Sequence, residues 1–263
     1  MVPEAQHLEA YYKQPELWEL NRYQADPAQR LRARTVSALI DPDVDRILDV
    51  GCGNGFVTRH LRARVGVVGL DPSEVALAGF EGLRLVATSD HLPFPDRSFD
   101  AVLCTEVLEH LAPEVFARTT AELSRVARSF LVVGVPFGED LRQGMATCAH
   151  CGRRYHIYLH QRSFRNPEDV LRLFPGWIQV SLVFVGAGVQ TSGWFFRWIH
   201  WMLLGPHATS PLARCPHCGS AETLSYGEGP HRPMGRRILE GIAWRLPKRA
   251  CARWMILALR RRS

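Results

Sequence analysis

The sequence predicts an α/β fold, because short apolar strands alternate with segments of helical period along most of its 263 residues. Five strands are predicted, at 47–50, 66–71, 83–87, 101–104 and 129–136. Helices are predicted before the first strand, over 4–40, and between later strands, at 56–61 and 113–127. The first strand runs directly into three alternating glycines, and we expect the other elements to be arranged around this point.

Residues 47–55 have the sequence ILDVGCGNG. Gly51, Gly53 and Gly55 have no Cβ atom, so a flat or charged ligand can approach the backbone closely. The predicted helix at 56–61 would point its free N–H groups at the same place. The spacing G-x-G-x-G differs from the dinucleotide fingerprint, whose geometry suits a pyrophosphate. The pattern predicts a ligand cradle, and its alternative is a tight strand-to-helix turn without a ligand.

This stretch resembles motif I of the class I S-adenosylmethionine-dependent methyltransferases, in particular the methyltransferase type 11 domain. The resemblance covers roughly residues 30–186 and the last strand, and it implies a doubly wound, Rossmann-like sheet of seven strands with helices on both faces. A sixth strand would lie at 177–186 and an antiparallel seventh strand at 253–259. The resemblance also implies that the cofactor S-adenosylmethionine is held at Asp49, Gly51, Cys52, Gly53, Asn54 and Gly55.

An acidic residue, Asp71, ends the second predicted strand. It follows the glycine turn by about twenty residues, where a carboxylate can accept both ribose hydroxyls of an adenosine. The alternative is that Asp71 caps the next helix, but Ser73 is better placed for that role. We therefore predict that Asp71, with the adjacent Pro72, contacts the cofactor.

A second family-like run, LPFPDRSFD, occupies 92–100 and resembles motif III with its lead into the fourth strand. Family members usually place an adenine-contacting Asp four residues before that Leu, where this chain has Thr88. We expect the adenine amino group to be read either by Asp90 or by backbone groups of Ser89 and Asp90, beside His91.

The segment after the fourth strand resembles the part of the family fold that lines the methyl-transfer face. We expect Thr105 and Glu106 to contact the cofactor there. His110 is a candidate base, because an imidazole with a near-neutral pKa can take a proton from a substrate hydroxyl or amine. A histidine that only caps or packs at a helix start is an equally good interpretation.

Four of the seven cysteines form two C-x₂-C-G knuckles. Such turns point backbone N–H groups at thiolates, and two of them supply a tetrahedral set for structural Zn²⁺. A redox dithiol is the lesser alternative, and Cys52, Cys104 and Cys251 are expected to be ordinary thiols. The family fold implies that both knuckles emerge from the carboxyl edge of the sheet, where zinc would pin a lid over the substrate. The predicted ligands are Cys148, Cys151, Cys215 and Cys218.

His156 and His160 lie four residues apart just after the first knuckle, and they would share a face if this segment were helical. They are candidates for substrate contact or catalysis, for an additional metal pair, or for structural support of the zinc lobe. The knuckles already complete a four-coordinate site, so substrate contact is favoured over metal. The C-x₂-C-G-x₂-Phe/Tyr-His segment that follows the fifth predicted strand is similar to a segment of bacterial methyltransferases from glycan and secondary-metabolite gene clusters.

These elements predict three regions. Residues 1–40 form an N-terminal helical cap. Residues 41–137, 166–186 and 252–263 form the cofactor-binding core. Residues 138–165 and 187–251 form the zinc-pinned insertion.

The composition, with 46 % apolar and 22 % charged residues, is typical of a soluble globular protein. No basic start leads into an apolar core, so a signal peptide is not expected and the cytoplasm is the default location. The apolar stretch 194–204 is too short to span a bilayer. Ten basic side chains but only two acidic ones lie between 228 and the end. This basic tail could bind nucleic acid, anionic lipid or a phosphorylated substrate, or it could form a solvent-exposed basic surface without a partner.

The function predicted from the sequence is S-adenosylmethionine-dependent O- or N-methylation of a small molecule or a sugar-containing metabolite. One alternative is an RNA methyltransferase that uses the zinc lobe and the basic end. Another is a membrane-surface enzyme for a lipid-linked substrate, which would use 194–204 together with the basic tail. The last is a cofactor-binding protein without catalysis.

Overall fold

A computed structural model describes residues 10–61, 66–191, 193–206, 208–224, 241–242 and 245–262. These residues divide into two compact units. The larger unit contains Tyr12–Glu139, Gln161–Gly186 and the chain from Ala252 onward. The smaller unit contains Asp140–His160 and the described part of Ala187–Cys251.

A seven-stranded sheet is the centre of the fold, with the strand order β3-β2-β1-β4-β5-β9-β8. Neighbouring strands from β3 to β5 are parallel, and β9 is antiparallel to β5. This is the doubly wound sheet with an antiparallel last strand that the family resemblance implied. Its strands are β1 (Arg46–Val50), β2 (Gly66–Asp71), β3 (Leu83–Val86), β4 (Phe99–Thr105), β5 (Ala127–Pro136), β8 (Trp177–Thr191) and β9 (Lys248–Arg261).

Two short strands lie outside this sheet, in the smaller unit. They are β6 (Met145–Thr147) and β7 (Arg154–His156), which pair antiparallel with each other. The first cysteine knuckle is the connection between them. Cys148 therefore directly follows one strand, and Cys151 lies three residues before the other.

Six α-helices lie wholly within the described residues. The local sequence explains where several of them begin. Asp26 caps the second helix by accepting a hydrogen bond from the Ala28 N–H at 2.8 Å, and a proline follows at the first helical position. The helices are α1 (Leu20–Ala25), α2 (Pro27–Leu39), α3 (Glu74–Leu77), α4 (Pro113–Val126), α5 (Pro167–Leu171) and α6 (Trp194–Leu204).

Helices cover both faces of the sheet, as predicted. On β1, Ile47 packs into a cluster with Ala33 and Val36 of α2, whereas its neighbour Leu48 packs into the cluster that contains Leu123 of α4. Successive side chains of a strand point to opposite faces, so two fully buried neighbours require cover on both sides. The core is therefore two apolar layers, one on each face.

The helix predicted at 56–61 is wrong over the described residues. Turns and a single 3₁₀ turn, Thr58–His60, replace it. The side chain of Asn54 accepts a hydrogen bond from the Phe56 N–H at 3.1 Å, and the Thr58 hydroxyl donates to Asp49 at 2.6 Å. Short polar side chains that bond locally compete with helix formation. The glycine turn therefore leads into a 3₁₀ turn here, and the expected row of free helical N–H groups is not formed.

The N-terminal segment is helical, as predicted, with a break at Asp26. Its described part contains helical residues at 10–12, a 3₁₀ turn at Pro15–Trp18, and then α1 and α2. Residues 1–9 lie outside the described residues, so the predicted start of this helical region at residue 4 is not described. The three-region division of the chain remains a prediction.

Candidate functional site

The glycine turn follows β1 and has the conformation that its sequence predicts. Gly51, Gly53 and Gly55 have φ values of +69°, +55° and +76°. Residues with a Cβ atom rarely adopt this left-handed region, so each position needs glycine for its backbone alone. The Gly51 and Cys52 N–H groups both donate to the Leu70 carbonyl of β2, at 2.7 and 3.1 Å. The turn is thus fixed to the end of the neighbouring strand.

Side chains of the protein pack directly against these glycines. A Cβ atom on Gly51 would lie 2.2 Å from Val107 Cγ2, and one on Gly53 would lie 2.8 Å from the Trp18 ring. Both distances are far below van der Waals contact. The space in front of the turn is therefore partly filled by protein, whereas the sequence suggested an open approach for a ligand.

A strap formed by residues 12–18 lies over the turn. The Trp18 indole N–H donates to the Tyr12 carbonyl at 2.8 Å, and the Asn54 amide donates to the Trp18 carbonyl at 2.8 Å. The Ser73 hydroxyl donates to the Tyr12 carbonyl at 2.9 Å. These bonds join the strap to the carboxyl ends of both β1 and β2. A ligand lying across Gly53 would have to share this space with the Trp18 ring.

Asp71 lies at the end of β2 and is almost fully buried. One carboxylate oxygen accepts a hydrogen bond from the Gly53 N–H at 3.0 Å, and the other accepts from the Ser73 N–H at 2.9 Å. Burial raises the pKa of Asp71, and these two hydrogen bonds partly offset that rise. Each oxygen keeps a second lone pair for a ligand hydroxyl. The prediction that Ser73 caps the next helix is confirmed, because its hydroxyl accepts from the Ala76 N–H at 3.2 Å.

Asp49 is a second buried carboxyl group beneath the turn. Burial raises its pKa to about 6, even though the hydrogen bond from Thr58 favours the ionised form. Burial also raises the pKa of the neighbouring Cys52 thiol and of the Cys104 thiol in β4. Both cysteines therefore stay protonated at neutral pH, as expected for ordinary thiols.

The predicted adenine-reading residues follow β3. The Asp90 carboxylate accepts two hydrogen bonds from the Arg118 guanidinium, at 2.8 and 3.0 Å. The Ser89 hydroxyl is hydrogen-bonded to the Thr119 hydroxyl at 2.8 Å. His91 is exposed. Because both side chains already have partners, this geometry favours the backbone groups of 89 and 90 as the adenine contacts over the Asp90 carboxylate.

Thr105 and Glu106 lie at the carboxyl end of β4, next to the turn. The Thr105 hydroxyl accepts a hydrogen bond from the buried guanidinium of Arg32 at 3.3 Å. Glu106 has a φ of +59°, and one of its carboxylate oxygens is buried without a hydrogen-bond partner among the described residues. A left-handed conformation at a residue other than glycine is uncommon and often marks a functional position.

His110 ends a 3₁₀ turn, Leu108–His110, that follows β4. Its ring meets the Tyr12 ring edge to face, with 6.1 Å between the ring centroids. The preceding residue, Glu109, has no exposed surface, and neither of its carboxylate oxygens has a hydrogen-bond partner in the described part of the chain. Burial, with the nearby Glu106 charge, holds the pKa of Glu109 well above its ordinary value.

Glu109 is not among the site residues that the sequence predicts. The pattern E-x-x-E-H over residues 106–110 could have drawn attention to it, because the pattern places two acidic side chains and an imidazole within five residues.

His156 and His160 come together, but not on a helix as expected. His156 ends β7, and a turn with Leu159 at a φ of +59° brings His160 back, so that the two rings stack with centroids 4.8 Å apart. Nδ1 of His156 faces the N–H groups of Tyr158 and His160, each at 3.3 Å. His156 thus supports this turn directly, which favours the structural interpretation of the pair.

The four knuckle cysteines form one cluster in the smaller unit. The sulfur atoms of Cys148 and Cys218 are 3.6 Å apart, as are those of Cys151 and Cys215, and all four lie within 4.8 Å of one another. Tetrahedral zinc with bonds of about 2.3 Å requires sulfur atoms about 3.8 Å apart, whereas a disulfide needs about 2.05 Å. The donor set and its spacing fit Zn²⁺.

Each knuckle closes in the same way. The Gly152 N–H donates to the Cys148 carbonyl at 3.0 Å, and the Gly219 N–H donates to the Cys215 carbonyl at 2.8 Å. Both glycines have a positive φ, of +70° and +74°. The left-handed backbone after each C-x₂-C pair thus favours glycine.

Part of the basic tail stabilises β9. Arg253 forms an ion pair with Asp26 at 3.1 Å, Arg260 pairs with Asp41 at 2.7 Å, and Arg261 lies over the Trp177 ring and donates to the Ala127 carbonyl. These three arginines therefore have partners within the larger unit, which weakens the nucleic-acid interpretation. Three other basic residues of the tail, Arg232, Arg236 and Arg237, lie outside the described residues.

Helix α6 exposes large apolar side chains. Trp194 is 74 % exposed, Met202 is 63 % exposed, and Phe195 and Trp198 are nearly half exposed. The opposite side carries the buried His200 and the partly buried Arg197, whose guanidinium lies 3.6 Å from Asp140. We name the exposed set the α6 aromatic face. No helix among the described residues is long and apolar enough to cross a membrane.

Comparison with known families finds a match around the glycine turn. Residues 48–130, from β1 into β5, match the family model described as "Methyltransferase domain". This range includes the glycine turn, Asp71 and the segment that follows β4.

Curated relatives match the same region. The chain is 35% identical over 105 residues to a ubiquinone biosynthesis O-methyltransferase of Xanthomonas axonopodis pv. citri, covering 35% of this chain and 44% of that protein. The protein of the same name from Rhizobium etli is 38% identical over 92 residues, covering 30% and 37%. The chain thus spans less than half the length of these curated relatives.

Solved structures share the fold over a longer range. The 1,6-didemethyltoxoflavin-N1-methyltransferase of Burkholderia thailandensis, solved with S-adenosylhomocysteine, superposes with a TM-score of 0.56 at 14% identity, covering 100% of this chain and 92% of that one. The [4+2]-cyclase SpnF superposes with a TM-score of 0.51 at 19% identity, covering 88% and 80%.

The sheet order and the sequence match together define a class. The fold is that of the class I S-adenosylmethionine-dependent methyltransferases. Within that fold, residues 48–130 are similar to the methyltransferase domain that the family model describes.

The glycine turn generates a test with an internal control. We predict that Gly51→Ala lowers the free energy of unfolding more than Gly138→Ala does. Both glycines have a similar φ, of +69° and +63°, but a Cβ atom at Gly138 meets nothing within 4 Å. The control should cost about 1 kcal/mol for its left-handed backbone. Gly51→Ala should cost a further ~1–3 kcal/mol for the collision with Val107. Equal losses in chemical denaturation would contradict this packing.

The raised pKa of Asp49 predicts that the stability of the protein depends on pH. Its pKa is raised from 3.8 to about 6 in the folded chain, so the folded state keeps a proton that the unfolded state has lost in this window. The free energy of unfolding should therefore fall as the pH rises from about 4 to 6, by about 3 kcal/mol. Denaturation of the wild type and of Asp49→Asn across this range isolates the effect. Parallel curves for the two proteins would show that Asp49 titrates normally.

Proposed function

We propose that the chain is an S-adenosylmethionine-dependent methyltransferase that methylates an oxygen or nitrogen of a small molecule or a sugar-containing metabolite. The observation that carries the proposal is the joint position of the glycine turn and the buried carboxylate of Asp71, at the ends of two adjacent parallel strands. In open α/β sheets, ligands bind at this edge. The relatives named as O-methyltransferases and the N-methyltransferase of similar fold support the same class.

The residues present fit the cofactor. The remaining lone pairs of Asp71 would accept the ribose hydroxyls, and the turn at Gly51, Gly53 and Gly55 would lie against the amino-acid part. The positively charged cofactor would also favour the ionised form of Asp49. When bound, S-adenosylmethionine supplies a methyl group on a sulfonium, and its departing thioether is neutral, so no oxyanion hole is required.

The protein's task is then to position the acceptor and to remove its proton. Holding two reactants in line within a closed site supplies much of the rate. His110, beside Tyr12 and after β4, would act as the base for an acceptor hydroxyl or amine. His156 and His160 would contact the substrate or support the zinc lobe, and the hydrogen bonds at His156 Nδ1 support the latter role.

We further propose that Cys148, Cys151, Cys215 and Cys218 hold one structural Zn²⁺. This zinc would hold the two knuckles of the smaller unit together. A structural site with four thiolates is closed and leaves no position for substrate. The zinc would therefore act on the stability of the lobe and take no part in the transfer itself.

The cofactor site is tested by the affinity for S-adenosylhomocysteine. We expect wild-type protein to bind one equivalent, and Asp71→Asn to bind at least about tenfold more weakly because a charge-assisted pair of hydroxyl contacts is lost. Isothermal titration calorimetry measures both. Asp96→Asn is the matched control, since that side chain is 75% exposed and lies away from the turn. Unchanged affinity in Asp71→Asn would remove Asp71 from the cofactor site.

The zinc site is tested by metal content. Purified wild type should contain about one zinc per chain, and Cys218→Ser should lose most of it together with thermal stability, since structural zinc contributes directly to folding. Cys251→Ser is the control, because this cysteine is outside the cluster. Elemental analysis with a melting curve gives both values. Full zinc content in Cys218→Ser would show that the cluster is not the metal site.

A second candidate is action on a lipid-linked acceptor at a membrane surface, and the α6 aromatic face favours it. Aromatic side chains combined with nearby basic residues are typical of helices that lie in the membrane interface. Exposed basic residues, Arg245, Lys248 and Arg249, belong to the same unit.

This candidate predicts that the wild type co-sediments with vesicles containing anionic lipid, and that a Trp194→Ser, Trp198→Ser double variant does so much less. Removing two aromatic anchors should weaken binding at least about tenfold. Leu83→Ser is the control, because Leu83 is 73% exposed but lies on β3. Equal sedimentation of all three proteins would exclude the aromatic face as the contact.

A further inference from the structure

We propose that a cavity in the larger unit, lined by Arg97, Arg125 and Arg261, binds a phosphate group, either as the free ion or as part of a small phosphorylated molecule. We name it the arginine cavity. Its volume is about 400 Å³, which is within the range of small-molecule sites. The inference goes beyond the proposed methyl transfer and does not depend on it.

The arginine cavity lies at the edge of the sheet opposite the glycine turn. Arg97 comes just before β4, Arg125 lies in the last turn of α4 before β5 begins, and Arg261 is the last residue of the antiparallel β9. β4 has seven residues, which at about 3.3 Å each place its two ends roughly 20 Å apart. A ligand in this cavity would therefore be separate from the candidate cofactor site.

The first observation is the backbone conformation of Arg97. Its φ is +53°, and its N–H donates to the Arg125 carbonyl at 2.9 Å. Glycine and asparagine adopt this left-handed region more readily, so an arginine here is uncommon. Residues held in such conformations cluster at functional sites. The backbone thus holds Arg97 beside the end of α4, where its side chain lines the cavity.

The second observation is a pair of like charges. The Arg261 guanidinium donates through Nε and Nη2 to three backbone carbonyls where α4 joins β5, those of Ser124, Ala127 and Arg128. These carbonyls carry no full charge. Burial and the charge of Arg97 lower the pKa of Arg261, so the two guanidinium groups lie close enough to repel each other.

The acidic groups near the cavity are already engaged by Arg125. Asp96 is the one carboxylate among the described residues that line the cavity, and it accepts from Arg125 at 2.9 Å. Glu122 accepts from the same guanidinium at 2.6 Å. Arg97 and Arg261 therefore have no counter-ion within the described part of the chain. An anion bound between them would relieve their repulsion.

The polar groups of the cavity suit a phosphate. A guanidinium presents its N–H donors in a planar fork that matches two phosphate oxygens. The Ser124 hydroxyl accepts from the Trp177 indole N–H at 2.8 Å, so its own proton is available to a further oxygen. Leu173 and Pro175 supply an apolar wall for the rest of a small phosphorylated molecule.

The competing explanation is purely structural. Arg261 would serve only to bind the last carbonyls of α4, as basic side chains at helix ends do, and Arg97 would be hydrated. This explanation gives Arg97 no part in ligand binding. A change at Arg97 therefore distinguishes the two explanations without disturbing the contacts of Arg261.

The experiment titrates the full chain with inorganic phosphate in a calorimeter, at an ionic strength held constant with chloride. We expect one site in the wild type and at least about fivefold weaker binding in Arg97→Gln, because a charged pair of donors is lost. Arg97→Asn, which suits the left-handed backbone better, should show the same loss. Melting curves show whether each variant is folded.

Arg34→Gln is the matched control. It also removes one positive charge, but Arg34 is exposed on α2 and does not line the cavity. It should bind phosphate as the wild type does. The proposal is overturned if folded wild type binds phosphate no more tightly than the folded Arg97 variants, or if Arg34→Gln weakens binding as much as they do.

A titration of the wild type with ribose 5-phosphate tells the two sources of phosphate apart. Tighter binding than that of inorganic phosphate would identify a phosphorylated small molecule as the ligand, because the apolar wall then contributes. Equal or weaker binding would identify the free ion. Either result supports the site if Arg97→Gln reduces it.

Discussion

The hydrogen bond from the Gly53 N–H to the Asp71 carboxylate is the contact on which the candidate site depends. It joins the turn after β1 to the acid that ends β2, and it exists because the two strands are parallel and in register, with Val50 opposite Leu70. β4 pairs with the other side of β1, so its own end, with Glu106 and His110, reaches the same edge. The register of these three strands thus places a glycine turn, a buried acid and an imidazole at the same edge of the sheet.

The glycines of the turn serve the fold and the proposed ligand together. Their positive φ values bring the chain back against β2, and the absent Cβ atoms admit Val107 and Trp18 at close range. A tightly packed turn is rigid, which lowers the entropic cost of holding a ligand. The strap at 12–18 covers this turn, so cofactor entry and the position of Trp18 are expected to be linked.

The sequence predicted the strands of the parallel sheet well, because buried parallel strands have continuous apolar runs, and the family resemblance supplied their order. The cysteine cluster was also predictable, since C-x₂-C-G is a local signal. Tertiary contacts explain what was missed. The hydrogen bond from Thr58 to Asp49 favours a 3₁₀ turn over a helix. The turn at Leu159, which has a left-handed backbone, brings His156 and His160 together where a helix was expected. Glu109 was not selected because its burial, and the absence of a hydrogen-bond partner for its carboxylate among the described residues, depend on tertiary structure.

The proposed function requires that the glycine turn and Asp71 hold S-adenosylmethionine. A crystal structure grown with S-adenosylhomocysteine tests it most directly. We expect ligand density across Gly51, Gly53 and Gly55, with both ribose hydroxyls at the Asp71 carboxylate and the Trp18 ring displaced from its contact with Gly53. Trp18 still packed on Gly53, with the ligand bound elsewhere or not at all, would contradict the claim.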